Sequence, residues 1–246
     1  MTVAAIHNQL HDFLVSLDGA ATVNDAWQTT LGYMRDLGAS HVGIVLYAEG
    51  ARALRQWSAP GWIEEMYQEK VYPHSDPKLE HCRKNLTPYF YQKEFWDREP
   101  NLPEPRRCLD EELVRIGNRA AVAFPNHSGS RRRWGYFAFT TDMGRAEFER
   151  FYADRGAAIQ LAGIGAFNRV KVLTNEEEVK RIGITQRERE CLLWLGRGFQ
   201  YDQIADRLGL RKVTVEYHIA KAKRKLNART REQALVTALQ LNLLDI

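Results

Sequence analysis

Residues 184–246 constrain this chain most, because caps, stops and apolar stripes recur there at spacings that a run of short packed helices satisfies. Thr185 and Glu188 stand in the S/T-x-x-E order of a capping box. Leu192 and Leu195 then form an inward stripe, and Gly196 or Gly198 supplies the stop. A short second helix follows with Ile204, Ala205 and Leu208 on one side. Ala205 is small where two helices must cross, and Gly209 permits the positive φ of a tight turn. Val215, Ile219, Ala222 and Leu226 give the third helix one buried face. A last helix, from Thr230 and Gln233 through Leu241, presents Leu235, Ala238, Leu239 and Leu241. Four helices this short cannot all bury their stripes in one small core, so that stripe is either core or a dimer surface.

The second and third helices read as a helix-turn-helix whose outer face is basic. Between Arg211 and Arg231 the cations are Arg211, Lys212, Lys221, Lys223, Arg224, Lys225, Arg229 and Arg231, opposed by Glu216 alone. With 35 basic and 31 acidic residues the whole chain carries only +4, so the charge is concentrated on this module. That is the footprint of phosphate binding; the bland alternative is a solvated basic helix packed on its neighbour. If the helix docks by its N-terminal half, Lys212, Val213, Thr214, Glu216, Tyr217, Ala220 and Lys221 face the bases. Glu216 can accept from a cytosine amine, although Lys212 one turn earlier offers it an intrahelical partner. Arg197, Lys223 and Arg224 are placed as phosphate contacts. The expected partner is double-stranded DNA with a near-palindromic operator, read by a homodimer, with RNA polymerase a further candidate partner.

A chain of 246 residues allows one large domain or two ordinary ones, and 44% hydrophobic with 11% aromatic content is enough for real cores. Cys82, Cys108 and Cys191 are scattered, which fits a reducing compartment and no disulfide framework. The first residues lack a basic n-region, and no apolar run reaches the ~20 residues of a membrane span. A cytoplasmic protein with no membrane partner is expected.

The preceding residues alternate differently. Two amphipathic helices are marked by Ile6, Leu10, Phe13, Leu14 and Leu17 and, after Thr22, by Trp27, Leu31, Met34 and Leu37. Strands are read at His41–Tyr47, Ala53–Trp57, Tyr89–Gln92, Ala120–Asn126 and Trp134–Thr141, with turns at Glu49-Gly50 and Ser128-Gly129-Ser130. A helix covers Trp62–Glu69, and a long one runs from Ala146 to about Phe167. The expectation is an α+β chain: an N-terminal α-β-α sandwich on an antiparallel sheet, then a small all-α helix-turn-helix domain. Its divisions are a sensor domain at 1–170, a solvated linker at 171–183 and a DNA-binding domain at 184–246.

Aromatic residues crowd the middle of the first domain: Trp57, Trp62, Tyr67, Tyr72, Tyr89, Phe90, Tyr91, Phe95 and Trp96. Among them stands Asp76-Pro77. A lone carboxylate among aromatics orients the guest of an apolar pocket; equally, Asp76 caps a helix after Ser75 and the aromatics are core.

Residues 184–246 resemble the C-terminal domain of the LuxR family of transcription regulators, through Glu188, Leu192, Gly198, Ile204-Ala205, Thr214-Val215, His218, Lys225-Leu226 and the closing helix from Ala234 to Leu244. Family members usually place serine where this chain has Arg211, which removes an N-cap hydrogen bond of ~1 kcal/mol. Residues from about Trp57 to Asp142 are similar to the autoinducer-binding domain of that family, whose usual ligands are N-acyl homoserine lactones. By that resemblance Asp76 accepts a ligand amide N–H and Tyr67 donates to the acyl carbonyl. Trp62 resembles the tryptophan that donates to the lactone carbonyl, but strict register puts Ile63 there. The second family tryptophan is Tyr91, and the glycine of the fourth strand is Ala121. The resemblance thus implies a signal-controlled DNA-binding regulator with Trp57, Trp62, Tyr67, Asp76, Tyr91 and Ala121 about its ligand. The signal is a lactone, a variant of one, or another small molecule, and a ligand-independent regulator is the alternative.

Other classes fit less well. A phosphorylation-driven response regulator needs acids at the end of its first strand, and His41–Tyr47 has none. Seven histidines occur without an H-E-x-x-H motif, and no phosphate loop or nucleophile elbow is present. Asp110, Glu111 and Glu112 look like paired carboxylates but are placed at a helix start, where the macrodipole accounts for them. No catalysis and no cofactor beyond the small-molecule signal is expected.

Overall fold

The computed structural model describes residues 3–48, 54–70, 76–92, 104–127, 133–241 and 243–244. The two expected turns, Tyr72, Ser75, Phe95 and Trp96 lie outside the described residues. The chain divides into two compact units, Met1–Lys171 and Val172–Ile246.

The first unit opens with α1 (Val3–Asp18) and α2 (Val23–Asp36). Thr22 and Asp25 close a reciprocal capping box at the start of α2. Strands β1 (His41–Ala48) and β2 (Leu54–Trp57) precede α3 (Gly61–Lys70) and α4 (Pro77–Lys84). Then come β3 (Tyr89–Gln92), α5 (Glu104–Arg115), β4 (Ala120–His127), β5 (Arg133–Thr141) and α6 (Arg145–Ile182). The five strands order as β2-β1-β5-β4-β3, and every pairing is antiparallel.

Strand alternation sends Val42, Ile44, Phe137 and Phe139 to one face, where they are buried. There Phe139 stacks on Phe151 of α6, and a Cβ at Gly163 would run into the Phe137 ring, so the helix rides directly on the sheet. Leu14 of α1 packs as closely over Gly165 of the same helix. On the opposite face Val45, Ala123 and Tyr136 join Ile63 and Tyr67 of α3, Leu79 and Cys82 of α4, and Leu109 of α5. Helices therefore cover both faces, giving the α-β-α sandwich read from the sequence.

The second unit contains α7 (Gln186–Gly196), α8 (Tyr201–Leu208), α9 (Lys212–Lys225) and α10 (Arg231–Gln240). Their stripes bury in two clusters rather than one. Cys191, Leu195, Ile204, Ala205, Val215 and Ile219 form the first. Leu192, Ala222, Leu226, Ala234, Ala238, Leu241, Leu243 and Leu244 form the second, and Leu235 packs against both. On α10, Val236 and Leu239 stay exposed.

The expected linker is helical in this structure: α6 continues to Ile182 instead of ending near Phe167. Val170 and Leu173 carry buried positions past that point, and Val179 and Ile182 pack against the second cluster of the C-terminal unit. The run Glu176–Glu178 is consequently a polar helix face, with Glu176 and Glu177 exposed to solvent.

Candidate ligand pocket and DNA-binding face

The pocket floor follows from small residues in register. Gly43 pairs with Trp57 and with Ala138, Ala138 with Ala123, and Ala123 with Tyr89. One row across the sheet therefore reads Trp57–Gly43–Ala138–Ala123–Tyr89, three small residues between two aromatic walls. Because successive side chains alternate faces, this whole row points to the side covered by α3, α4 and α5. The next row toward the end of β5 is Thr140–Ala121–Tyr91, and the one on the other side is Arg55–Val45–Tyr136. A cavity of about 70 Å³ lies over these rows, several times the ~10–15 Å³ that admits one water.

The wall opposite the floor is charged and buried. Asp76 is the N-cap of α4, and its Oδ1 accepts the Lys78 backbone N–H at 2.9 Å. Tyr67 donates its hydroxyl to Asp76 Oδ2 at 2.8 Å. Arg106 of α5 brings Nη1 to 3.2 Å from Asp76 Oδ1, while its Nε holds Asp110 Oδ1 and Oδ2 at 2.8 and 3.0 Å. Tyr91 donates to Asp110 Oδ1 at 3.0 Å, and the Arg106 guanidinium lies 5.8 Å from the Tyr91 ring centroid. Lys78 Nζ sits 3.6 Å from Asp76 Oδ2 and over the rings of Tyr67 and Tyr136. At the far edge Arg55 pairs with Glu64 at 2.9 Å.

These contacts set the protonation states. Burial alone would raise the Asp76 carboxyl, but Lys78, Arg106 and the Tyr67 hydroxyl outweigh it and hold the group below its usual range. For Asp110 burial wins over Arg106, and its carboxyl is raised. Burial lifts the Tyr67 and Tyr91 phenols well above the usual value, so both are hydrogen-bond donors at neutral pH. It also pushes the Cys82 thiol beneath the pocket up to about 12, leaving it unreactive.

In the second unit the anchors are polar. Glu188 completes the capping box with Thr185 and accepts Lys225 Nζ at 2.7 Å. Burial opposes ionisation of Glu188, but the Lys225 and Thr185 bonds prevail and its carboxyl is lowered. Gly209 takes the left-handed conformation at φ 65° where α8 ends, which fixes the turn into α9. Arg211 is the α9 N-cap and makes no side-chain cap bond, as its departure from serine requires. Lys212, Val213, Glu216, Tyr217, Ala220 and Arg224 are exposed on α9, with Thr214 and Lys221 partly so. Val213 at 63% and Tyr217 at 55% exposure stand out as apolar groups that the core does not use. Lys212 pairs with Asp202 of α8 at 2.9 Å rather than with Glu216. Lys221 Nζ lies 4.7 Å from the Tyr217 ring centroid. Arg197 is exposed beside Trp194.

Residues 22–170 match the autoinducer binding domain, and residues 183–238 match the luxR family of bacterial regulatory proteins. The chain belongs to the LuxR family. Accordingly it is an autoinducer-class, DNA-binding transcription regulator and not an enzyme. It is 28% identical over 191 residues to RpaR, an HTH-type quorum sensing-dependent transcriptional regulator of Rhodopseudomonas palustris, covering 76% of this chain and 75% of that one. It is also 28% identical over 188 residues to an HTH-type transcriptional regulator of Sinorhizobium fredii, covering 76% of this chain and 55% of that one. The fold matches SdiA in complex with octanoyl-rac-glycerol with a TM-score of 0.72 at 17% identity, over 100% of both chains. No helix among the described residues is long and apolar enough to cross a membrane.

Within this LuxR-family sensor domain the structure places Trp57, Tyr67, Asp76, Tyr91 and Ala121 on the cavity. Trp62 is corrected: it is 44% exposed and absent from the lining, while Ile63 is fully buried. The one-residue difference in spacing turns the indole outward by about 100° of helix. Asp110 is also corrected. It lies inside α5 and is buried against Arg106, so an ion pair rather than the helix macrodipole accounts for it. Sequence reading did not find Arg55, Lys78, Arg106 or Asn118. The i,i+4 spacing of Arg106 and Asp110 was the available signal. Asn118 was silent; its Oδ1 lies 2.5 Å from the Thr140 hydroxyl and 2.9 Å from His41 Nδ1.

Proposed function

We propose that this regulator is gated by an uncharged acyl signal, an N-acyl homoserine lactone or a variant of one, bound over the Gly43–Ala138–Ala123 floor. The observation that carries this reading is the trough itself: three small residues between aromatic walls, faced by the Tyr67–Asp76 pair. An acyl chain gains burial along such a floor, and the polar groups of the facing wall fix its orientation. The DNA target is a near-palindromic operator read by a homodimer, with Glu216, Tyr217 and Lys221 toward the bases and Arg197 and Arg224 toward phosphates. Recruitment of RNA polymerase and residence in the cytoplasm belong to the same proposal.

A second reading, regulation without a ligand, is favoured by one observation. Asp76, Arg106, Asp110 and Tyr91 satisfy one another's polar groups from within the protein. A thermal-melt screen against acyl homoserine lactones of varied length separates the two. A signal at 100 times its Kd adds about 2.7 kcal/mol to native stability, a rise of several degrees. No rise with any lactone, from protein that still binds its operator, rejects the lactone reading.

A further inference from the structure

Asn118 is placed by the way α5 ends. Gly117 takes a left-handed φ of 88°. Its N–H bonds the Val114 carbonyl at 3.0 Å, and the Asn118 N–H bonds the Leu113 carbonyl at 2.9 Å. This paired closure is a Schellman motif, which turns the chain out of the helix with Asn118 just past the glycine. The Arg119 N–H then meets the Thr141 carbonyl at 3.0 Å, so the chain enters the sheet at once. The Asn118 side chain is left beside Thr140, lining the cavity at 2% exposure.

The amide is held at one end. Oδ1 lies 2.5 Å from the Thr140 hydroxyl and 2.9 Å from His41 Nδ1. Nδ2 has no partner, and among the described residues that line the cavity it is the one buried donor atom in that state. Buried donors are nearly always satisfied, so an open one beside a cavity marks where the acceptor of a guest belongs. The charged lining groups are engaged with one another: Arg55 with Glu64, Lys78 and Arg106 with Asp76, and Arg106 with Asp110. Trp62 is exposed and off the lining, so α3 brings no indole N–H to the cavity.

We propose that Asn118 is a specificity-determining residue of the signal site, whose Nδ2 donates to a carbonyl oxygen on the head group of an uncharged acyl compound. This deepens the reading of the cavity as the signal site and rests on it. Thr140 and Tyr91 flank Ala121 in one row, and with Asn118 they gather hydroxyls and an amide at one end of the floor. The head lies there, and the chain runs back over Ala138, Ala123 and Gly43. Thr140 and His41 are positioning residues, since they fix the oxygen and so aim the NH2 group.

The test uses the full chain and two probes of equal acyl length. One is an N-acyl homoserine lactone; the other is the N-cyclopentyl amide, which keeps the amide and a five-membered ring but has no ring acceptor. Kd is measured by calorimetry on the wild type, Asn118→Leu and Asn118→Ala. The wild type should favour the lactone by about tenfold or more, the effect of satisfying one buried donor. In both variants that preference should fall to within about threefold, through weaker lactone binding. Equal affinity for the two probes on the wild type overturns the inference, and this arm depends on no variant. An undiminished lactone preference in a folded variant overturns it equally. Either result leaves the acyl-signal reading standing, whereas binding of neither probe to the wild type overturns both.

Discussion

Arg106 and Asp76, thirty positions apart in sequence, meet with 3.2 Å between Nη1 and Oδ1, and the same guanidinium grips Asp110. One buried cation thereby ties the α4 cap to the third strand through Tyr91. Arg106→Met leaves two buried carboxylates facing each other without their partner. The expected loss is about 3–5 kcal/mol, read from a urea unfolding midpoint. Adding Asp110→Leu removes one of the stranded charges and restores part of it. A single variant as stable as wild type contradicts the role assigned to Arg106.

Acid sensitivity of the C-terminal unit is expected from Glu188. Its carboxyl is lowered in the folded state by Lys225 and Thr185, so it contributes stability above the unfolded value of about 4.3. That contribution disappears as pH falls from there through the lower folded value. Melting temperature should drop through this window, and Lys225→Met should flatten the part of the drop that belongs to Glu188. Parallel pH profiles for the two proteins count against the pair.

Filling the trough should shorten the preferred signal. A Cβ at Gly43 meets Trp57 Cδ1 at 3.7 Å and Ala138 Cβ at 3.9 Å, ordinary contacts, so Gly43→Ala folds normally. Ala138→Leu projects further over the floor. Each methylene the trough can no longer bury costs about 0.8 kcal/mol, near fourfold in affinity. Titration with acyl chains of increasing length reads the shift; an unchanged optimum rejects the floor as the chain's binding surface.

On DNA the two classes of α9 residue should separate. Arg224→Ala is expected to lower the slope of log affinity against log salt by about one, with sequence preference intact. Tyr217→Ala should relax preference at one base position, by about 1–3 kcal/mol, with the salt slope unchanged. Fluorescence anisotropy over a salt series, with operator variants, distinguishes them. Equal behaviour of the two variants contradicts the docking face.

The helix-turn-helix was legible because every local rule agreed: capping box, left-handed Gly209 and apolar stripe all appear in place. The sheet was legible by alternation, and Tyr67 and Asp76 by resemblance. Trp62 misled because a one-residue offset in a helix changes the face without changing the composition. Arg106 and Lys78 escaped because a charged residue in an amphipathic segment reads as solvent-facing until tertiary packing buries it. The length of α6 escaped for a related reason, since Glu176–Glu178 suit an exposed helix face as well as a tether.

Gly43, Ala138 and Ala123 stand on three different strands yet share one row. Pocket depth can then be altered a methyl at a time by single-codon changes, none of which touches the carboxylate network or the operator-facing helix. Lineages carrying such a sensor can drift into private chemical dialects while their promoters stay the same.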